Sequence, residues 1–161
     1  MLFKDYCRSP GAREACLAVK QAADAAARAQ AVKDMAEFFA ASGAVREGSV
    51  LIPAPQHSGK AEYTKDIAGA VSRMTGAAVA DVLKCRPHEP LYEIKRAGRK
   101  ARLFFWPDGE IPEGKEIFFL DNVIGTGMTF LAARRAIGAP LKPLAYAVDT
   151  EKCPWLPGMA W

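Results

Sequence analysis

The feature that most constrains the fold of this chain is an alternation of short apolar runs with stretches of helical period, punctuated by glycine and proline. "SVLIPAP" (residues 49–55) reads as a buried strand broken by prolines. Residues 62–74 follow with Ile67, Val71 and Met74 at helical spacing, and Gly76 closes them. "AAVADVLK" (77–84) and "RLFFW" (102–106) are further strand candidates, and "WPDGEIPEG" is turn chemistry. "EIFFL" (116–120) is a buried strand and residues 129–137 a helix. "LKPLAYAVD" (141–149) is a last strand that Pro143 favours at a sheet edge. Upstream, residues 11–42 are rich in alanine. Ala18, Ala22, Ala25, Ala29, Val32, Ala36 and Phe39 recur every three or four positions, as on a core-facing helix that Ser42-Gly43 would stop. This order predicts an α/β fold, with a mostly parallel central sheet, flanking helices and an N-terminal alanine-rich helix. A length of 161 residues suits one domain: a helical segment over 1–45, a core over 49–150 and a tail over 151–161.

Composition excludes several classes. Half the residues are hydrophobic and a quarter charged, as in soluble globular proteins. No apolar run approaches the roughly 20 residues of a membrane helix, and "MLFKDYCRSPG" lacks the apolar core of a secretory signal. Cys7, Cys16, Cys85 and Cys153 are scattered, without a CxxC pair. Reduced thiols in a cytoplasmic protein are therefore expected, rather than disulfides or a zinc site. The net charge of +4 is local: residues 84–102 hold seven basic side chains against two acidic ones, a net +5. One basic segment suits a compact polyanion at least as well as nucleic acid.

In parallel α/β sheets ligands bind beyond the carboxyl ends of the strands. "IPAPQHSGK", the basic segment and "LDNVIGTGMT" all follow strands, so they are expected at one edge. Asp121 and Asn122 stand where the apolar run "IFFL" ends, and a loop with Gly125, Thr126, Gly127 and Thr129 leads into a helix. Glycines let the backbone approach a ligand, and the free N–H groups of the helix start favour an anion such as a phosphate. Other phosphate motifs fail on spacing. Ala61 follows Lys60 where a Walker A loop needs Ser or Thr, and Phe130 stands where a dinucleotide fingerprint needs its third glycine.

"FFLDNVIGTGMT" resembles the phosphoribosyl pyrophosphate (PRPP) signature of type I phosphoribosyltransferases. "LIPAPQHSGKAEYTKDIAGAVSRMTGA" and "LKCRPHEPLYEIKRAGRKARLFF" extend the resemblance to the ComF-like branch, over about residues 49–150. The resemblance implies a glycosyltransferase of nucleotide metabolism. It would move a phosphoribosyl group between PRPP and a nitrogenous base or amine, with pyrophosphate leaving and Mg2+ held mainly by PRPP and water rather than by protein ligands. It implies that Asp121 and Asn122 face the ribose as the catalytic pair. Val123, Ile124, Gly125, Thr126, Gly127, Met128 and Thr129 would hold the 5-phosphate. Ala54, Pro55, Gln56, His57, Ser58, Gly59 and Lys60 would form the pyrophosphate loop, with Lys84 and Arg86 adding charge. Residues 87–100, with Lys95, Arg96, Arg99 and Lys100, would be a mobile basic lid.

Asn122 departs from the family's acidic pair. Restoring Asp there is expected to preserve or raise activity. The departure also fits a module that binds PRPP or a nucleoside monophosphate without turnover. A third reading, action with single-stranded DNA, follows from the basic segment and the ComF-like resemblance. His57 and His88 are either phosphate donors or exposed spectators, and Phe104, Phe105 and Trp106 fit core and strand better than base stacking. Trp155 and Trp161 suit a cap on the sheet edge, a cover for the acceptor pocket or a contact in a homodimer.

Overall fold

The computed structural model describes residues 3–21, 24–113 and 116–156. Its centre is a five-stranded sheet in the order β1-β7-β6-β2-β3, with every pair parallel. The strands are β1 (Lys4–Asp5), β2 (Ser49–Pro53), β3 (Ala78–Val79), β6 (Glu116–Ile124) and β7 (Leu141–Val148). A second, two-stranded ribbon pairs β4 (Leu83–Cys85) antiparallel with β5 (Phe105–Pro107). The helices are α1 (Ala12–Gln21), α2 (Ala25–Ala41), α3 (Tyr63–Thr75), α4 (Leu91–Arg96) and α5 (Met128–Ile137). The expected α/β class with a mostly parallel sheet is what forms.

Strand alternation divides the core. Leu51, Phe118 and Leu120 face α1, α2 and α3, meeting Cys16, Met35, Phe39, Ile67 and Val71. Val50, Ile52 and Phe119 face α5, meeting Phe130 and Ala133. The Phe119 and Phe130 rings lie 5.9 Å apart and both residues are fully buried, so truncating either to alanine costs about 3–5 kcal/mol.

Four expectations are corrected. The alanine-rich segment is two helices, because the Asp24 side chain accepts from the Ala26 amide at 3.0 Å and starts α2 afresh. Ala25 and Ala29 are consequently exposed, while Ala31, Met35, Ala36 and Phe39 carry the buried face; Ala22 lies outside the described residues. Residues 77–84 split between sheets: β3 borders β2, and after Ala80 the chain turns away to form β4. The run "EIFFL" continues as strand through Asp121 and Asn122 to Ile124. Finally, β7 lies between β6 and β1 rather than at the edge, since the amino-terminal residues supply a short parallel strand. Pro143 is tolerated because β1 meets β7 only at Ala147 and Val148.

Candidate functional site

Neighbouring strands β2 and β6 send the chain to opposite faces of the sheet, β2 into α3 and β6 into α5. The crevice between two such diverging connections is where open α/β sheets bind ligands. Here it is bordered by the loop after β2 (residues 54–62) and the loop after β6 (residues 125–127).

The second loop leaves backbone amides unpaired. Val123 and Ile124 still belong to β6, and buried Ile124 packs with Ala145, Val148, Cys153 and Leu156. Gly125, Thr126 and Gly127 then turn the chain into α5, which has no side-chain cap at its N-terminus. Among the described residues, the amides of Thr126, Gly127, Met128 and Thr129 donate to no protein acceptor, and the two threonine hydroxyls have no partner. Four free N–H groups at the positive end of a helix dipole are an arrangement that can hold an anion.

Gly127 is required for a reason the sequence did not show. Its φ is +77°, and a Cβ there would lie 2.2 Å from Trp155 Cζ2 and 3.1 Å from Cys153 Sγ. The segment after β7 therefore folds under this loop, held by Asp149 N–H donating to Ile124 O at 2.9 Å and Cys153 N–H to Asp149 O at 2.8 Å. Trp155 is a wall of the loop; Trp161 lies outside the described residues.

Asp121 and Asn122 part company. Half-buried Asp121 accepts from the Asn122 amide at 2.8 Å and from that of Val123. Burial pushes its carboxyl up to about 6, against the pull of the Lys20 ammonium and these two amides. Asn122 is fully buried. Its Nδ2 donates to Cys16 O at 3.0 Å, and the Cys16 thiol donates to Asn122 O at 3.4 Å. Asn122 Oδ1 is buried without a partner among the described residues. Of the two residues expected to act as a pair, Asp121 keeps a carboxylate at the strand, while the Asn122 amide is turned to α1. Around Asp121 stand Cys16, whose thiol burial pushes up to about 12, and Tyr63, whose phenol is pushed up by burial and then by Asp121. Neither Cys16 nor Tyr63 ionises at neutral pH.

The loop after β2 is braced by side-chain hydrogen bonds. Gln56 Nε2 donates to Ala54 O and Thr64 Oγ1, and Gln56 Oε1 accepts from the Glu62 amide. Ser58 Oγ donates to Glu62 Oε1 at 2.6 Å, and Ala54 and Pro55 are buried. Gly59, at φ +97°, packs so closely that a Cβ would meet Cys85 O at 2.7 Å. His57 and Lys60 are left exposed. Of the two cations expected beside this loop, Lys84 is committed to Asp81, donating to its carboxylate at 3.0 Å, whereas Arg86 is exposed.

The basic excursion begins on the same loop, since His88 N–H donates to His57 O at 2.9 Å. Its helix α4 buries nothing, and Arg99 closes the excursion by a bidentate pair with Glu89 at 2.8 and 2.5 Å. Lys95, Arg96 and Lys100 are exposed. The aromatic run does not go to the core as a block. Phe105 packs inward beside α5, whereas Phe104 (69% exposed) and Trp106 (40%) face out with ring centroids 6.5 Å apart.

Among the described residues no group of three or more His, Cys, Asp and Glu side chains is placed to hold a metal ion, and no helix is long and apolar enough to cross a membrane. No family model and no curated protein matches the chain.

Proposed function

We propose that the protein transfers a 5-phosphoribosyl group between PRPP and a nitrogenous base or amine, on a sheet of the type I phosphoribosyltransferase kind. One observation carries the reading: an uncapped helix start with four unpartnered amides, reached through a glycine loop directly from the strand that bears Asp121. The 5-phosphate would lie on the amides of residues 126–129, which leaves the ribose toward Asp121.

In this reaction the C1–O bond to pyrophosphate breaks, the nitrogen of the acceptor bonds to C1, and the acceptor gives up a proton. Positive charge grows on the ribose as pyrophosphate departs, and the Asp121 carboxylate favours that charge. Magnesium would arrive with PRPP, held by its oxygens and water, and neutralise the leaving group. Lys60, Arg86 and the cations of the excursion supply positive charge for pyrophosphate, while a closed excursion would exclude the water that hydrolyses PRPP. Calorimetric titration tests the binding half. PRPP with magnesium, and a nucleoside 5′-monophosphate, are expected to bind at one site per chain, and the absence of heat with both contradicts the reading.

Two further readings each have an observation. A non-catalytic sensor of PRPP or nucleotide fits the single carboxylate left when Asn122 turns to α1; it would bind PRPP without releasing pyrophosphate. Single-stranded nucleic acid fits the exposed Phe104 and Trp106 on the ribbon that flanks the basic excursion, because bases stack on such rings while cations track the backbone. Oligonucleotide affinity that falls steeply with salt would favour it; its absence removes it.

A further inference from the structure

We propose that Lys20 is the positioning residue of the Asp121 site, so that the N-terminal helix α1 is part of the functional centre as well as of the core. Cys16 and Lys20 are four residues apart on α1 and share a face, one turn from each other. Cys16 is fixed to Asn122 by two reciprocal hydrogen bonds, which sets α1 against the strand immediately beside Asp121. One turn on, Lys20 Nζ stands over the Tyr63 ring, 5.6 Å from its centroid, where the chain returns from the β2 loop into α3. The ammonium thus bridges α1 to the mouth of the crevice.

The charges around Asp121 leave this part to Lys20. From α1 come Cys16 and Lys20; from α3 comes Tyr63, with Glu62 before it; Lys4 of β1 acts on Cys16. Cys16 and Tyr63 remain neutral, so among the described residues Lys20 is the cation whose charge bears on the Asp121 carboxylate. Burial favours the neutral acid, and a neutral acid cannot stabilise a cationic ribose. Lys20 opposes that and keeps the carboxylate ionised. The catalytic consequence rests on the phosphoribosyl-transfer reading; the charge pairing does not.

The experiment is a carboxyl NMR titration of Asp121 in the wild-type chain, in Lys20→Met and in Lys20→Arg, paired with pH profiles of kcat/KM. Lys20 is exposed, so neither substitution should disturb folding. The Asp121 midpoint is expected to move to higher pH in Lys20→Met and to stay near wild type in Lys20→Arg. The acid limb of kcat/KM should follow the same order while KM for PRPP holds. An unchanged midpoint in Lys20→Met overturns the proposal whatever the activity. A shifted midpoint in a chain that never releases pyrophosphate supports the Lys20–Asp121 pair and removes the transfer reading instead.

Discussion

Asn122 donates its side-chain amide to the Cys16 carbonyl at 3.0 Å, and through that bond the strand that carries the candidate site is fastened to the N-terminal helices. The bond explains why an amide stands where an acidic residue was expected. A carboxylate at this fully buried position would face the Cys16 carbonyl oxygen, to which it has no proton to donate.

The first prediction reverses an expectation from sequence. Asn122→Asp should destabilise the fold at neutral pH by about 3–5 kcal/mol, the scale of an uncompensated buried charge. The loss should shrink in acid, where a protonated carboxyl can donate to Cys16 O as the amide does. Thermal melts at pH 5 and pH 8 check this; equal melting temperatures for wild type and variant at pH 8 would contradict it.

The two glycines of the loop after β6 should behave oppositely. A Cβ at Gly125 meets nothing within 4 Å, so Gly125→Val should melt near wild type, yet a branched side chain in a loop that must approach PRPP closely should lower its affinity. Gly127→Val should fail to fold or melt far lower. Backbone strain at its positive φ costs roughly 1–3 kcal/mol, and the displaced Trp155 adds to it. Binding calorimetry beside melting curves separates the cases, and a stable Gly127→Val chain would refute the Trp155 contact.

Asp121 should weaken the fold that holds it. Its carboxyl is raised from 3.8 to about 6, so the folded state favours the protonated form. The stability that this proton confers is complete below pH 3.8 and lost as pH rises through 6, a change of about 3 kcal/mol at most. Asp121→Asn keeps an acceptor for the Asn122 and Val123 amides without the charge. It should therefore raise the melting temperature at pH 8 and leave it unchanged near pH 3.5. A gain that is the same at both pH values would contradict the assignment.

For the excursion, residues 87–100 should exchange their amides quickly in the free protein, since α4 buries no side chain and the Glu89–Arg99 pair that closes the segment is exposed. PRPP with magnesium should slow that exchange, most of all at Lys95 and Arg96. Hydrogen exchange by mass spectrometry reads both states, and equal protection with and without ligand would make the segment a fixed excursion.

The parts of this arrangement that were legible in the sequence are local ones. The apolar run ending in Asp121, the Gly-Thr-Gly turn and the helix that follows lie within one stretch, where period and turn chemistry decide the structure. Gly76 likewise announced the end of α3, and it does adopt a left-handed φ of +73°. What was hidden depends on partners far along the chain. Asn122 meets Cys16 at a separation of 106 residues, and Trp155 reaches back to Gly127 after the last strand. Lys20 carried no signal as one cation on an amphipathic helix. The break at Asp24 was readable, since aspartate caps a helix better than it continues one, but the alanine spacing ran across it. Residues 77–84 look like one strand because pairing with two different sheets leaves no mark on hydrophobicity.

The most direct test of the account is the initial rate of pyrophosphate release from PRPP with magnesium, across a panel of purine and pyrimidine bases and amines, for wild type and Asp121→Asn. The account predicts release with at least one acceptor in the wild type, rising with pH through about 6 as Asp121 ionises, and a rate in Asp121→Asn reduced far more than its PRPP affinity. A wild-type chain that binds PRPP but releases no pyrophosphate with any acceptor, or an Asp121→Asn chain that releases it as fast as wild type, would contradict the account.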